Sequence, residues 1–145
     1  MNKPAELPLP VTGKQKMTPS EAFVETLVAN GVKDVFGIVG SAYMDALDLF
    51  PLAGIRFISV AHEQGGGHMA DGYSRASNGR KLGVVTVQQS AGAENAFSGI
   101  AQAYTDSSPL LFLPGRPGRG QVRIPPTCDA SLHYQGSTKW CDLIP

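Results

Sequence analysis

Cysteine, net charge and long apolar runs are what this chain has least of, and each shortage closes off a class of function. Two cysteines, Cys128 and Cys141, in 145 residues are too few for a disulfide framework or a cysteine-built metal site. They fit a chain kept in a reducing compartment, so the expected location is cytoplasmic; a single bridge between them is the alternative. Basic and acidic residues balance at 12 each, so no global field draws the chain to nucleic acid or to an anionic membrane. No apolar run approaches the roughly 20 residues that cross a bilayer. The local basic run Arg116, Arg119 and Arg123 sits among Gly and Pro and reads as a solvated loop rather than a phosphate groove. Residues 1–16 carry Pro and Lys without a signal-peptide core and read as a flexible lead-in.

What the chain does have is a regular alternation of helix and strand signals. Thr18-Pro19-Ser20-Glu21 is a helix start, with a capping-box threonine, proline in the first turn and glutamate three residues on. Ala22, Phe23, Leu27 and Val28 recur on one helical face, and Asn30-Gly31 supplies the stop. Val35–Ile38 predicts a short strand, and the Gly40-Ser41 turn leads to a helix carrying Met44, Leu47 and Phe50. Ile55–Ala61 predicts a buried strand, Glu63–Ala76 a helix, Leu82–Val87 a strand, Ala93–Tyr104 a helix and Leu110–Leu113 a strand. From Pro114 onward no strong periodicity returns. Strict alternation predicts an α/β fold, a doubly wound parallel sheet with helices on both faces. Ligands gather at the carboxyl ends of strands in such a sheet. Val39-Gly40, Glu63 and Ser90-Ala91-Gly92 all fall there.

Glu63 is the residue of greatest chemical interest. A carboxylate ending a buried strand is poorly solvated, which favours its neutral, hydrogen-bond-donating form and suits it to acid/base work. The alternative is that Glu63 only complements the dipole of the helix it opens. Gly37 and Gly40 are explained by a strand-to-helix turn without any ligand, and Asn95 can either cap a helix or bond a ligand. His62 and His68 do not form a zinc helix, because Gly66 occupies the place the second ligand needs. Gly115-Arg116-Pro117-Gly118-Arg119-Gly120 lacks the Gly-Lys-Ser/Thr ending of a phosphate loop. No metal-binding residue is assigned.

Four ordered blocks add a family resemblance. Phe36-Gly37-Ile38-Val39-Gly40-Ser41-Ala42 comes first, then His62-Glu63-Gln64 with Met69-Ala70-Asp71-Gly72-Tyr73-Ser74-Arg75-Ala76. Ser90-Ala91-Gly92-Ala93-Glu94-Asn95 follows, and Gly99-Ile100-Ala101 leads into Ala103-Tyr104-Thr105-Asp106-Ser107. Together they resemble the N-terminal, pyrimidine-binding domain of thiamine-diphosphate enzymes of the acetolactate synthase type. The likeness runs from about Met17 to Trp140. It implies the thiamine-diphosphate-binding fold over residues 17–145, incomplete at its C-terminus near Thr138-Lys139-Trp140, where the domain's last helix and strand would follow.

The resemblance also implies roles. Glu63 would be the catalytic glutamate that hydrogen-bonds N1′ of the aminopyrimidine, and Val39, Gly40, Ala91 and Asn95 would line the cofactor. Ala91 stands where the family usually has proline. The Phe-Gln-Glu element of acetolactate synthases is missing, with Cys128-Asp129-Ala130-Ser131 in that region. The family holds Mg2+ and diphosphate on a Gly-Asp-Gly segment of a separate domain, and this sequence has no Gly-Asp-Gly. The chain would therefore carry half a site for thiamine diphosphate, completed by a missing domain or a diphosphate-binding partner subunit and acting on a 2-oxoacid. Gly40-Ser41-Ala42 and Asp48-Leu49-Phe50-Pro51 are similar instead to sulfoacetaldehyde acetyltransferases, which is the alternative. A non-catalytic interaction module is the rival outside enzymes. Gly65, Gly66, Gly67, Ala70, Gly72 and Ala76 crowd one helix and predict close approach of another backbone. By resemblance that region lies at a subunit interface, so a homo-oligomer is expected; packing on the chain's own sheet is the alternative.

Overall fold

The computed structural model describes residues 15–118, 120–121, 124–125 and 128–144. Most of the expected lead-in, and Arg119 and Arg123 of the basic run, lie outside the described residues. The element order is α1 (Pro19–Ala29), β1 (Asp34–Gly37), a 3₁₀ turn (Ser41–Tyr43), α2 (Met44–Leu49), β2 (Arg56–Ser59), α3 (Glu63–Ala76), β3 (Gly83–Val87), α4 (Ala91–Thr105), β4 (Leu110–Pro114) and α5 (Ala130–His133).

The local signals act as the sequence predicts. The Thr18 amide donates to Glu21 Oε2 at 2.6 Å, and the Glu21 amide donates to Thr18 Oγ1 at 3.2 Å. That reciprocal cap satisfies two amides a helix start leaves open, and its loss costs about 1 kcal/mol. Asn30 caps the other end, and Gly31 takes the left-handed conformation at φ +75°. In α2, Ala46 and the following Phe50 turn inward, while Met44 stays exposed.

Among the described residues, four parallel strands lie in the order β2-β1-β3-β4. Val35 pairs with Val84 and Phe36 with Val85, and the two-residue period of a strand sends these pairs to opposite faces. Val35 and Val84 join Val24, Leu27, Ala46 and Phe50 beneath α1 and α2. Phe36, Val85 and Val87 join Ala70, Ala96 and Ile100 beneath α3 and α4. Helices therefore cover both faces, as a doubly wound sheet requires.

The second strand corrects an expectation. The predicted buried strand over Ile55–Ala61 shortens to Arg56–Ser59, with both ends exposed and Phe57 and Ile58 half-buried. Among the described residues it has a neighbour on one side only, so an edge position, not composition, sets its burial. Arg56 Nε meets Asp34 Oδ1 at 2.7 Å and the Tyr73 hydroxyl donates to Asp34 Oδ2 at 2.8 Å, joining β2, β1 and α3 at the amino end of the sheet.

The glycine-rich helix α3 lies close to two neighbours in the same chain: to β3, where a Cβ on Gly83 would lie 2.0 Å from Ala70 O, and to α4. A Cβ on Gly99 would lie 2.7 Å from the Gly67 backbone, and one on Gly67 would lie 3.0 Å from Gly99 Cα. A Cβ on Gly66 would meet Val85, Val60 and Gly37 of the chain's own sheet region, whereas one on Gly65 or Gly72 would meet nothing within 4 Å. Arg75 fastens the helix pair, donating to Asp71 within α3 and to Asp106 beyond α4, each at 2.8 Å. Its guanidinium holds the Asp106 carboxyl below the usual carboxylate range.

Beyond β4 the sequence promises no periodicity, yet α5 forms a single turn. Asp129 Oδ1 caps it, accepting from the Ser131 amide at 3.1 Å. Tyr134 then buries against Phe112 and Phe97, with ring centroids 4.8 and 5.4 Å away, and donates to Ala93 O at 2.6 Å. Burial pushes its phenol well above the ordinary range, and the nearby Glu94 carboxylate adds to the effect.

Candidate functional site

The chain reverses its direction of travel across the sheet between β1 and β3. From β1 it moves outward to β2 on one side, then returns to lay β3 and β4 on the other. Loops leaving β1 and β3 therefore diverge and open a crevice at the carboxyl ends of these strands, the usual ligand position in an open parallel sheet.

One wall is the segment after β1. Val39 is 60% exposed on it, whereas Gly40 is buried. The 3₁₀ turn follows, and the Tyr43 hydroxyl donates back to Ile38 O. Burial raises the Tyr43 phenol above its ordinary value, with the Glu63 charge adding to the rise. The opposite wall is the turn from β3 into α4. Ser90 sits there at φ 56°, ψ −112°, a left-handed backbone costly for any residue with a Cβ. Ala91 is exposed at the rim, Gly92 is buried and Asn95 is exposed one turn on.

Glu63 closes the floor as the first residue of α3. His62 caps that helix, its Nδ1 accepting from the Gln64 amide at 3.2 Å. Asn95 Nδ2 donates to Glu63 Oε2 at 3.1 Å across the crevice. Asn95 lies inside α4 and does not cap it, and its side chain bonds the Glu63 carboxylate instead. A Cβ on Gly92 would lie 3.3 Å from Glu63 Oε1, so the glycine leaves room beside the second oxygen.

The burial expected at Glu63 is not there. The residue is half-exposed, because β2 is an edge strand and Ala61 and His62 before it are exposed. Its chemistry rests on hydrogen bonding and placement.

The structure thus brings Glu63 and Asn95 into contact, with Gly92 beside the carboxylate and Gly40 and Val39 on the facing wall. Ala91 stays at the rim. Gln88 is a site residue that sequence reasoning missed. Its Oε1 accepts from the Ala42 amide and its Nε2 donates to Ser41 Oγ, both at 3.3 Å. The available signal was its place directly after β3. Tyr43 was missed as well.

His62 is a helix cap and His68 is exposed, and the described residues contain no group of three or more His, Cys, Asp or Glu able to hold a metal ion. No helix among them is long and apolar enough to cross a membrane. A larger cleft of about 1120 Å³ runs beside β4, lined by Leu27, Phe112, Tyr134 and Trp140 among others. It is lined also by Arg116, Asp129 and Lys139 and does not include Glu63.

Residues 17–142 match the family described as thiamine pyrophosphate enzyme, N-terminal TPP binding domain. The sulfoacetaldehyde acetyltransferase of Castellaniella defragrans is 53% identical over 134 residues, covering 87% of this chain and 22% of that protein. The one from Alcaligenes xylosoxydans xylosoxydans is 58% identical over 103 residues, covering 71% and 17%. The acetolactate synthase isozyme 3 large subunit of Escherichia coli K12 is 45% identical over 103 residues, covering 70% and 18%. A solved structure from Mycobacterium smegmatis, assigned as a thiamin diphosphate-dependent enzyme, superposes with a TM-score of 0.77 at 26% identity, covering 88% of this chain and 25% of that one. The chain spans about a fifth of the length of the curated relatives it matches. It belongs to the family of N-terminal TPP-binding domains of thiamine pyrophosphate enzymes.

Proposed function

We propose that this chain supplies the pyrimidine-binding half of a thiamine-diphosphate site, with Glu63 as the group that holds a proton at N1′ of the aminopyrimidine. The observation that carries the reading is the Glu63 carboxylate at the crevice floor, fixed through Oε2 by Asn95 and bordered at Oε1 by the bare Gly92 backbone. When bound, the cofactor supplies a thiazolium carbon acid able to add to a 2-oxoacid carbonyl. Residues of this chain would do the rest. Asn95 holds the carboxylate plane across the crevice. Val39 and Gly40 form the facing wall, and Ala91 forms the rim. The fit extends to the pyrimidine half alone.

Magnesium and the diphosphate contacts belong in this reading to a second domain or a partner subunit, since the sequence contains no Gly-Asp-Gly. The reaction class is 2-oxoacid decarboxylation or carboligation of acetolactate synthase type. Transfer of an acetyl group onward, as the name sulfoacetaldehyde acetyltransferase describes, is the second reading. Two enzymes of that name, at 53% and 58% identity, support it, while others of that name and the acetolactate synthases alike stand at 44–45%.

The test is a titration of the isotope-labelled chain with thiamine diphosphate and Mg2+, read by amide chemical shifts. Shifts at Gly40, Glu63, Gly92 and Asn95 are expected, with a dissociation constant in the millimolar range because the charged end of the cofactor has no anchor here. Absence of shifts at these residues would overturn the site. Micromolar binding by the chain alone would overturn the half-site.

A further inference from the structure

The 3₁₀ turn Ser41–Tyr43 has a glycine, Gly40, at its cap position and no side-chain cap of its own. A turn start leaves amides open that a cap side chain normally satisfies, and glycine has none to offer. The missing acceptor comes from the other side of the crevice. Gln88 Oε1 accepts from the Ala42 amide at 3.3 Å while its Nε2 donates to Ser41 Oγ at 3.3 Å. Gly40 is what makes room for it, since a Cβ there would lie 2.4 Å from Gln88 Oε1 and 3.2 Å from Gln88 Cα.

Gln88 is just as closely set on its own side. A Cβ on Gly92 would lie 3.3 Å from Gln88 Cβ and 3.3 Å from Glu63 Oε1. One half-buried side chain therefore spans from the glycine beside the carboxylate to the turn that forms the opposite wall. The connection joins residues 46 positions apart, across the boundary between β1 and β3.

We propose that Gln88 is a positioning residue whose amide ties the Gly40–Tyr43 wall to the β3–α4 turn and so sets the width of the crevice above Glu63. The proposal rests on the pyrimidine-site reading for its consequence, which is control of how a flat aminopyrimidine fits. The link itself stands on the contacts alone.

The experiment uses the full 145-residue chain, amide hydrogen exchange at Ala42, and affinity for 4-amino-5-hydroxymethyl-2-methylpyrimidine. Gln88→Ala removes cap and tie together. Exchange at Ala42 should accelerate, and affinity should fall about five-fold as the wall loses both of its hydrogen bonds to Gln88. The double variant Gly40→Ser, Gln88→Ala lets a serine cap the turn from its own position. The new Cβ meets the retained Cβ at residue 88 at 3.1 Å, a contact that a shift of a few tenths of an ångström relieves. A positioning role predicts that Ala42 protection returns in the double variant while affinity does not. Recovery of both would show a cap and nothing more, overturning the proposal, and so would wild-type affinity in Gln88→Ala. Should the wild-type chain not bind the pyrimidine at all, the functional reading falls instead. The tie is then decided by exchange: unchanged Ala42 protection in Gln88→Ala overturns it. If the double variant does not fold, the single variant and Ser41→Ala, which cuts one arm of the tie, carry the same measurements.

Discussion

At the scale of single residues, Glu63 and Ser90 show two ways a crevice is set up. Glu63 depends on what holds it, the Asn95 amide at 3.1 Å, and not on burial. Glu63→Gln preserves shape and leaves the fold intact but cannot share a proton. With a diphosphate-binding partner present, the substitution should slow C2 hydrogen–deuterium exchange of bound thiamine diphosphate by about a hundredfold or more. Exchange at the wild-type rate would remove Glu63 from the mechanism. Ser90 does the opposite of stabilising. Its φ of 56° is a conformation glycine takes without penalty, and Ser90 makes no capping hydrogen bond in return. Ser90→Gly should raise unfolding stability by about 1 kcal/mol, measured by urea denaturation. A lower midpoint would mean that Ser90 makes a stabilising interaction not visible at its backbone.

At the scale of elements, the α3–α4 contact is sensitive to a single added atom. Gly99→Ala places a Cβ 2.7 Å from Gly67 backbone atoms, which no rotamer can avoid. The helices must part, and the expected loss is about 2–3 kcal/mol, read as a lowered urea midpoint. An unchanged midpoint would show that α3 and α4 slide freely. These same helices were legible in the sequence because each carries its own local signals. The Thr18–Glu21 box, the strand-to-helix turns and the small-residue run after Glu63 need no distant partner to be read. What depends on distant partners was not legible. Arg56–Ser59 is as apolar as an inner strand in part, and only the strand order makes it an edge. The one-turn α5 is too short to display a helical period. Gln88 bonds a turn 46 residues away, so its neighbours in sequence say nothing of its role. The candidate site was legible at Glu63 and the Val39-Gly40 turn because strand ends can be counted. The glycines of α3 were legible as a close approach, but not as one made to α4.

At the scale of the whole molecule, the assignment of Gly66 and Gly67 to internal packing removes part of the case for association and leaves a different part standing. Met69 on α3 and Phe97 on α4 are 45% and 41% exposed beside that packed seam. Gly65 and Gly72 on α3 have open space around them. Across the molecule, β4 pairs with β3 alone among the described residues, and its Leu110–Pro114 edge carries no charge to discourage another strand. Nearby, Trp140 and Ile144 are 76% and 71% exposed. Two separate patches of exposed apolar residues on a chain with balanced charge favour contact between copies, because no net repulsion opposes it. The chain should therefore form a dimer or larger species, or aggregate, as concentration rises. Light scattering across a concentration series measures this directly. Phe97→Lys tests the helix face and Leu111→Lys the strand edge, and whichever restores the smaller species identifies the surface in use. A single monomeric mass at every concentration, with cooperative unfolding, would show that both surfaces are tolerated in water and that the chain does not associate through either.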